Sequence, residues 1–585
     1  MHKSNYDKFP FIRIDGYENE AFNGFEEIIA EVTRRLKVSS RKRHVVAIDC
    51  YPGVRDREIL SNFQEGLSPV KIYNTLDIKL SEEAIHDMIK CNLTNDRVFG
   101  VLSCCTLTEF FDPDKITAVA SEIDKIENGT ILVYGVGAAL ITKPDMLIYA
   151  DMPRWEIQQR YRCKEIGNWS CDNWDDDFLR KYKRSFFIEW RVADRHKVSL
   201  FNRIDYFLDT TVKNQPKMVT AKALFGGLRS TVRQPFRVVP FFDPAPWGGQ
   251  WMKEVCDLDR SVENFGWCFD CVPEENSLYL KYGDVQIETP SINLVFRHPV
   301  DLLGDSVHAR FGAEFPIRFD FLDTMGGGNL SFQVHPLTEY IQQTFGMHYT
   351  QDESYYILDA AEDASVFLGL KDCIDPKQMI EDLEIAQTDP DRPFKAEKYA
   401  NRFPARKHDH FLIPAGTTHC SGSNAMVLEI SATPYIFTFK LWDWGRLGLD
   451  GKPRPVHINH GRNVIQWDRT TNWVENNLVN QIEKVAAGDD WIEERTGLHE
   501  REFIETRRHW FTGTTLHHTE GTVNVLNLIE GEEAIIESPT NAFAPFLVHY
   551  AETFIVPACV DKYTIRPHGP SLGHKCGTIK ASVRK

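Results

Sequence analysis

The sequence predicts a multidomain chain: an N-terminal α/β domain built on a parallel sheet, then an all-β core with a helical insertion, then a second small β-barrel. Three observations predict it. The 585 residues exceed what one hydrophobic core holds, and at about 150 residues per domain they suggest roughly four domains. Residues 1–235 alternate apolar runs with amphipathic stretches. From about 236 the texture changes to short alternating runs punctuated by Gly, Pro, Asn and Asp.

In the first region HVVAIDC (44–50), RVFGVLSCC (97–105), GTILVYGVG (129–137) and MLIYAD (146–151) read as buried strands. SEEAIHDMIKCNL and KITAVASEIDKIENG lie between them and read as helices. Strands that alternate with helices favour a parallel sheet. In the second region SLYLKYGDVQIETP, SYYILDA, ASVFLGL, HFLIPAG and AMVLEIS read as antiparallel strands. Charged, helix-like stretches interrupt near 367–400 and near 473–498. The last segment returns to strands in TVNVLNLIEG, EAIIESP, PFLVHYAETFIVPA and KYTIRP. The expected boundaries are 1–235, 236–460 and 461–585, the last beginning with a linking helix.

Composition excludes several classes. Lys+Arg 67 against Asp+Glu 84 gives a net charge of −17, which disfavours broad binding to nucleic acid or an anionic membrane but leaves room for a local basic pocket. Hydrophobic residues at 42% and charged residues at 26% are those of a globular chain and exclude global disorder. No apolar run approaches the roughly 18 residues that span a bilayer, and the first twenty residues lack the apolar segment of a secretory signal. The 13 cysteines are odd in number and scattered, as expected of reduced thiols in a cytoplasmic protein. Only Cys268 and Cys271 form a CxxC, a weak metal signal without a second pair. The vicinal Cys104 and Cys105 read as packing at the end of a buried strand.

The first strand runs into Asp49-Cys50-Tyr51-Pro52-Gly53-Val54-Arg55-Asp56-Arg57, where a phosphate loop belongs. Such a loop needs glycines, a Lys and a Ser or Thr. Gly53 is present, but Arg55-Asp56-Arg57 stands where Gly-Lys-Ser/Thr would be, and Asp56 would repel a phosphate. Together with YADMPRWEIQQRYRCKEI (149–166), the region resembles a P-loop kinase of the uridine-kinase type with a degenerate loop. That resemblance implies a scaffold, oligomerisation or regulatory role rather than phosphoryl transfer.

The second region carries four spaced features. Gln333 and His335 are two apart in a strand-like run, so both side chains project from one face. Glu353 enters a later strand. His419 follows a Pro-Ala-Gly turn at the start of another, and Glu429 lies on the return strand. A lone strand histidine is most often a satisfied polar residue. Two His, a Glu and a Gln oxygen together make an open site for zinc, and the same donors suit Fe, Mn or Co. Cys420 adjoins His419, but adjacent strand residues point to opposite faces.

On these residues the stretch from about 236 to the C-terminus resembles the type I mannose-6-phosphate isomerases, which are cupins. The matching pieces are Pro246-Trp247-Gly248-Gly249, FPIRFDFLDTMGGGNLSFQVHP (315–336), DESYYIL, IPAGTTHCSG (413–422) and FKLWDWGRLGLDGKPRPVHI (439–458). The resemblance implies a cupin jelly-roll core, Zn2+ bound by Gln333, His335, Glu353 and His419, and interconversion of mannose 6-phosphate and fructose 6-phosphate through an enediol-type intermediate. A cation holding two adjacent oxygens stabilises the developing charge, a nearby acid or base moves the proton, and a basic group holds the remote phosphate.

The sequence departs from that family in three places. Lys440 stands where an Arg is usual, and a compact point charge is no substitute for a planar fork. Gln351 stands where a Lys is frequent. Asn264–Cys268 lacks the usual acidic residue. Lys440 is therefore the expected catalytic cation, and Arg446, Lys452 and Arg454 form the expected phosphate cluster. The readings left open are a non-catalytic sugar-phosphate or nucleotide sensor and an isomerase for another phosphorylated sugar. The expected partner is a small sugar phosphate, with no nucleic acid or membrane, and an oligomer is compatible with the sequence. His517-His518 and Arg507-Arg508-His509 read as surface or structural.

Overall fold

The computed structural model describes residues 4–432, 435, 437–500 and 502–584. The chain packs as two compact units, one of residues 11–230 with 277–297 and one of residues 1–10, 231–276 and 298–585. Among the described residues no helix is long and apolar enough to cross a membrane.

The first unit is built on a seven-stranded sheet. Its strands run in the order Ala21–Asn23, Lys217–Thr220, Tyr206–Asp209, Met146–Asp151, Arg43–Cys50, Gly129–Gly135, Lys71–Asn74. The last five are mutually parallel. Their Val-, Ile- and Leu-rich centres are buried, as expected of strands covered on both faces. Helices Glu82–Leu93 and Pro113–Lys125 carry their own start signals. Ser81 accepts from the Ala84 N–H at 3.1 Å, and Asp112 caps the second helix with Pro113 in its first turn.

Two expectations for this part of the chain change. Residues 97–105, expected as a buried strand, form none. The Val101 N–H donates to the Asn92 carbonyl and the Ser103 N–H to Phe187, so neighbouring helical segments satisfy the backbone that a sheet would have paired. Cys104 is accordingly exposed rather than packed. The hairpin Ser277–Tyr282 with Val285–Pro290 pairs with Phe11–Arg13 and packs with the parallel-sheet unit.

Among the described residues the second unit holds four sheets. In the six-stranded one the order is His410–Ile413, Glu353–Ala360, Ala425–Ser431, Arg318–Asp323, Trp267–Cys271, Phe241–Asp243. In the five-stranded one it is Ala400–Pro404, Ser365–Leu370, His419–Ser421, Phe332–Val334, Phe439–Trp442. Helices Pro376–Thr388 and Ala396–Tyr399 lie between two of these strands in sequence. A further six-stranded and a four-stranded sheet, from 483 onward, enclose a core of Phe511, Leu526, Leu528, Ile536, Val548, Phe554 and Ile565.

The helix expected over 473–498 ends early. Only Thr471–Asn477 is helical, and Glu483–Ala487 and Trp491–Arg495 form an antiparallel hairpin. Gly488-Asp489-Asp490 makes the turn, with the Gly488 N–H donating to the Trp491 carbonyl at 2.9 Å. Turn chemistry outweighs the charged, helix-like composition there.

Candidate metal centre

Strand register assembles the site. Gln333 is paired with His419 on one side and with Lys440 on the other. Directly opposed residues of an antiparallel ladder project from the same face, so His419, Gln333 and Lys440 form one row. His335, two residues from Gln333, shares that face. The six-stranded sheet contributes two more rows. Ile413, Glu353, Ser431 and Arg318 face one another across it, as do Phe411, Tyr355, Glu429 and Asp320.

The rows meet at a buried cluster. Ligand atoms of His335, Glu353 and His419 all lie within 4.8 Å of one another, and none of the three residues is exposed. The two oxygens of Glu353 reach one imidazole each: Oε2 is 3.1 Å from His335 Nε2 and Oε1 is 2.7 Å from His419 Nε2. The Gln333 amide is 3.2 Å from the same His419 nitrogen. Each imidazole turns its other nitrogen to a main-chain carbonyl, His335 Nδ1 to Phe437 at 2.7 Å and His419 Nδ1 to Thr417 at 2.9 Å. Those contacts fix the Nδ1–H tautomer and aim each Nε2 lone pair into the cluster, the orientation that metal-binding histidines need. His335 Nε2 and Glu353 Oε1 are buried and form no hydrogen bond of good geometry. Two imidazoles and a carboxylate aimed at one point are the donors of an open zinc-type site.

Burial alone would raise the Glu353 carboxyl, but His335 and His419 beside it hold it well below the usual range. Burial alone would lower the His335 imidazole, and Glu353 more than offsets this. Gln351 donates to Glu353 Oε2 at 2.9 Å and accepts from the Phe437 N–H at 2.9 Å. It therefore fixes the carboxylate that would face a cation.

Sequence reasoning overlooked Arg318 and Asp320 and gave no role to Gln351 beyond its departure from the family. Arg318 Nε lies 3.2 Å from Asp320 Oδ1, and both are buried. Burial lifts the Asp320 carboxyl to about 6 against the pull of Arg318. Burial, with Asp320 and Glu353 nearby, lifts Glu429 well above the usual range. The signal was the alternation in RFDF (318–321): charged residues at alternate positions of a strand, separated by apolar ones, mark a polar face turned inward.

Lys440 is half-buried in the row of Gln333 and His419. The expected phosphate cluster is arranged differently. Arg446 and Arg454 both bind Asp443, at 2.6 Å and 2.8 Å, and Lys452 is exposed on the same loop. Asp443 and Arg446 act electrostatically on Cys420, whose alternation turns it away from the His419 face.

The N-terminal loop is internally satisfied. Arg160 donates to the Gly53 carbonyl at 2.7 Å, Arg55 pairs with Glu165 at 2.5 Å, and Asp56 accepts from Tyr134 at 2.8 Å. At the carboxyl ends of the central strands, where open α/β sheets bind ligands, helix Trp190–Leu200 supplies partners. His196 lies 2.9 Å from Asp49, Lys197 lies 3.1 Å from Asp151, and Asp194 takes Tyr51 and Arg154.

Comparison with known proteins adds a direction. Residues 24–233 match the family described as "Domain of unknown function (DUF8485)". Over 235 residues the chain is 27% identical to "Mannose-6-phosphate isomerase ManA" of Bacillus subtilis, covering 40% of this chain and 68% of that protein. Over 230 residues it is 26% identical to "Mannose-6-phosphate isomerase" of Streptococcus mutans, covering 39% and 66%. The chain thus spans about two thirds of each relative. The crystal structure of the mannose 6-phosphate isomerase from Bacillus subtilis superposes with a TM-score of 0.47 at 18% identity, covering 60% of this chain and 99% of that one. A putative mannosephosphate isomerase from Archaeoglobus fulgidus gives 0.45 at 16%, covering 60% and 98%. The sequence similarity points to a mannose-6-phosphate-isomerase-like relationship for the part of the chain it covers.

Proposed function

We propose that the chain is a zinc-dependent aldose–ketose isomerase that interconverts mannose 6-phosphate and fructose 6-phosphate. The observation that carries this reading is the convergence of His335, Glu353 and His419, with the Gln333 amide beside them, on one buried point. A zinc ion held by Gln333, His335, Glu353 and His419 would supply Lewis-acid stabilisation of charge developing on two adjacent sugar oxygens. The chain's own residues do the rest. Glu429, on the row next to Glu353 and raised well above the usual carboxylate range by burial and by Asp320 and Glu353, would serve as the group that exchanges a proton with the substrate. Lys440 contributes the positive charge on the opposite sheet. Gln351 keeps Glu353 oriented. Substrate phosphate reaches Arg446, Lys452 and Arg454 only by sharing two of the three with Asp443.

In this reading residues 236–460 form the metal-binding cupin domain and 461–585 a second cupin-like domain. Residues 1–235 form a kinase-like scaffold without phosphoryl-transfer activity. The protein works in the cytoplasm on a small sugar phosphate. A non-catalytic sugar-phosphate sensor is the second reading, favoured by Gln351: it stands where a Lys is frequent and is committed to Glu353 and the Phe437 backbone.

The test is a coupled assay for fructose 6-phosphate formed from mannose 6-phosphate, with metal analysis of the same sample. Turnover that a chelator abolishes and zinc restores supports the isomerase. About one metal per chain with no turnover on any hexose phosphate supports the sensor. Absence of any stoichiometric metal overturns both.

A further inference from the structure

A second polar site lies in the C-terminal sheets and uses none of the residues described above. Its cleft, of about 340 Å³, is lined in part by Glu505, Arg507, His518, Asn524, Lys580 and Arg584, a size at the lower end for small-molecule sites. Register builds it. Arg507 opposes Lys580, and Ser582 is opposed by Glu505 on one side and Asn524 on the other. These side chains therefore share one face of the six-stranded sheet. Leu526 and Leu528, on the same face, belong to the apolar core. The face is apolar at one end and polar at the other.

Charge at the polar end is unevenly balanced. Arg507 is held by Glu493 at 2.9 Å and Glu505 at 2.5 Å. Lys580 is only 9% exposed; among the described residues its ammonium has no carboxylate within ion-pair distance and no hydrogen bond, and Glu493, Glu520 and Glu505 act on it from farther off. Arg584 gives Nη1 to the Glu500 carbonyl at 3.0 Å and Nη2 to the Leu498 carbonyl at 2.9 Å. Its Nε is buried without a hydrogen-bond partner; among the described residues no carboxylate lies within ion-pair distance of it, and the buried Glu502 carboxylate acts on it from farther off. Glu505 and Glu520 are the acids of the cleft lining. Burial lowers the Lys580 ammonium below the usual lysine range, and a bound anion would raise it again.

The layer behind the cleft is polar as well. Tyr563 donates to Asn524 Oδ1 at 3.0 Å, and His517 stacks on Tyr563 with ring centroids 5.2 Å apart. His517 Nε2 and Thr578 Oγ1 are buried without hydrogen-bond partners. Buried polar atoms of this kind are satisfied in almost all native proteins, and a cation left without an anion in a desolvated place is costly. An anionic ligand in the cleft answers the second demand.

We propose that this cleft binds a phosphate group, as free phosphate or as the phosphate ester of a small metabolite, with Lys580 and Arg584 taking the anion and Asn524 and Ser582 meeting its oxygens or hydroxyls. Two cations converging on one oxyanion make charge-assisted hydrogen bonds of the strong kind. The site is independent of the metal centre.

The experiment is calorimetric titration of the full chain with inorganic phosphate and, separately, with mannose 6-phosphate. Wild type, Lys580→Met, Arg584→Gln and His335→Ala are compared. The expected result is saturable binding that survives in His335→Ala and weakens about tenfold or more in both Lys580→Met and Arg584→Gln. For the binding that Lys580→Met and Arg584→Gln weaken, equal affinity for the two probes identifies free phosphate as the occupant, and tighter binding of the ester identifies a phosphorylated metabolite. Should Lys580→Met fail to fold by circular dichroism, Arg584→Gln, whose guanidinium lies at the chain's exit from the sheet, carries the test. Saturable binding that disappears in His335→Ala overturns the proposal. So does binding indifferent to the C-terminal substitutions, or no saturable binding of either probe.

Discussion

Glu353 Oε1 and His419 Nε2 lie 2.7 Å apart although their strands belong to different sheets. One carboxylate thereby ties the two sheets of the core together at the point where Gln333 and His335 also arrive. The proposed chemistry depends on that meeting, and so do the first two predictions.

Replacing His335 or His419 by Ala, or Glu353 by Gln, is expected to remove stoichiometric zinc and lower kcat by at least about 10³-fold. Metal analysis and the coupled assay on the same preparations check this. Retained zinc in His335→Ala would show that the cluster is not the metal site.

Lys440→Ala is expected to lower kcat by about 10²–10⁴-fold with metal content unchanged. Lys440→Arg is expected to recover part of it, because the charge is kept while its geometry changes. Steady-state kinetics with metal analysis separate the two effects; a loss confined to KM would assign Lys440 to binding alone.

Lys197 and Asp151 form a buried ion pair at 3.1 Å, and Asn293 donates to the same carboxylate at 2.9 Å. Lys197→Met leaves Asp151 without its cation and is expected to cost about 3–5 kcal/mol in the parallel-sheet unit. Urea denaturation followed by hydrogen exchange at 146–151 measures it. A cost under about 1 kcal/mol would mean that Asn293 suffices.

ATP with magnesium is expected to leave the melting temperature of the full chain unchanged, because Arg55, Asp56 and Arg160 are already bound within the chain. A concentration-dependent rise in Tm, which any ligand specific to the folded state produces, would restore a nucleotide role to residues 1–235.

The Glu493 carboxyl is held down to about 2, by the hydrogen bond from His509 and, against burial, by Arg507. An unfolded glutamate titrates near about 4.3. The folded value is the lower one, so this stabilisation is fully present above about pH 4.3 and is lost as pH falls toward 2. Glu493→Gln is expected to remove of order 1–2 kcal/mol of stability at pH 7 and much less at pH 2.5. Urea midpoints of the two proteins at both pH values check it, and an equal difference at both would refute the assignment.

Much was legible in the one-dimensional pattern, and particular residues show why. The runs at 44–50, 129–137 and 146–151 are long, β-branched and bounded by turn signals, and they form the centre of the parallel sheet. The spacing of Gln333 and His335 sufficed to place both on one face. The segment 97–105 misled because an apolar run says that it is buried, not what satisfies its backbone; here Asn92 and Phe187 do so. The stretch 483–495 misled because Gly488 and its two aspartates decided the local structure against the surrounding composition.

By itself the sequence determined which residue types were present and which strand face each would occupy, because period two is a local property of an extended chain. Only the tertiary structure decided that Glu353 reaches both imidazoles, that Asp443 takes Arg446 and Arg454, and that Lys580 lines a cleft with no carboxylate within ion-pair distance among the described residues. Each depends on which strand lies beside which and in what register. Those pairings are contacts between residues distant along the chain, and no local periodicity encodes them.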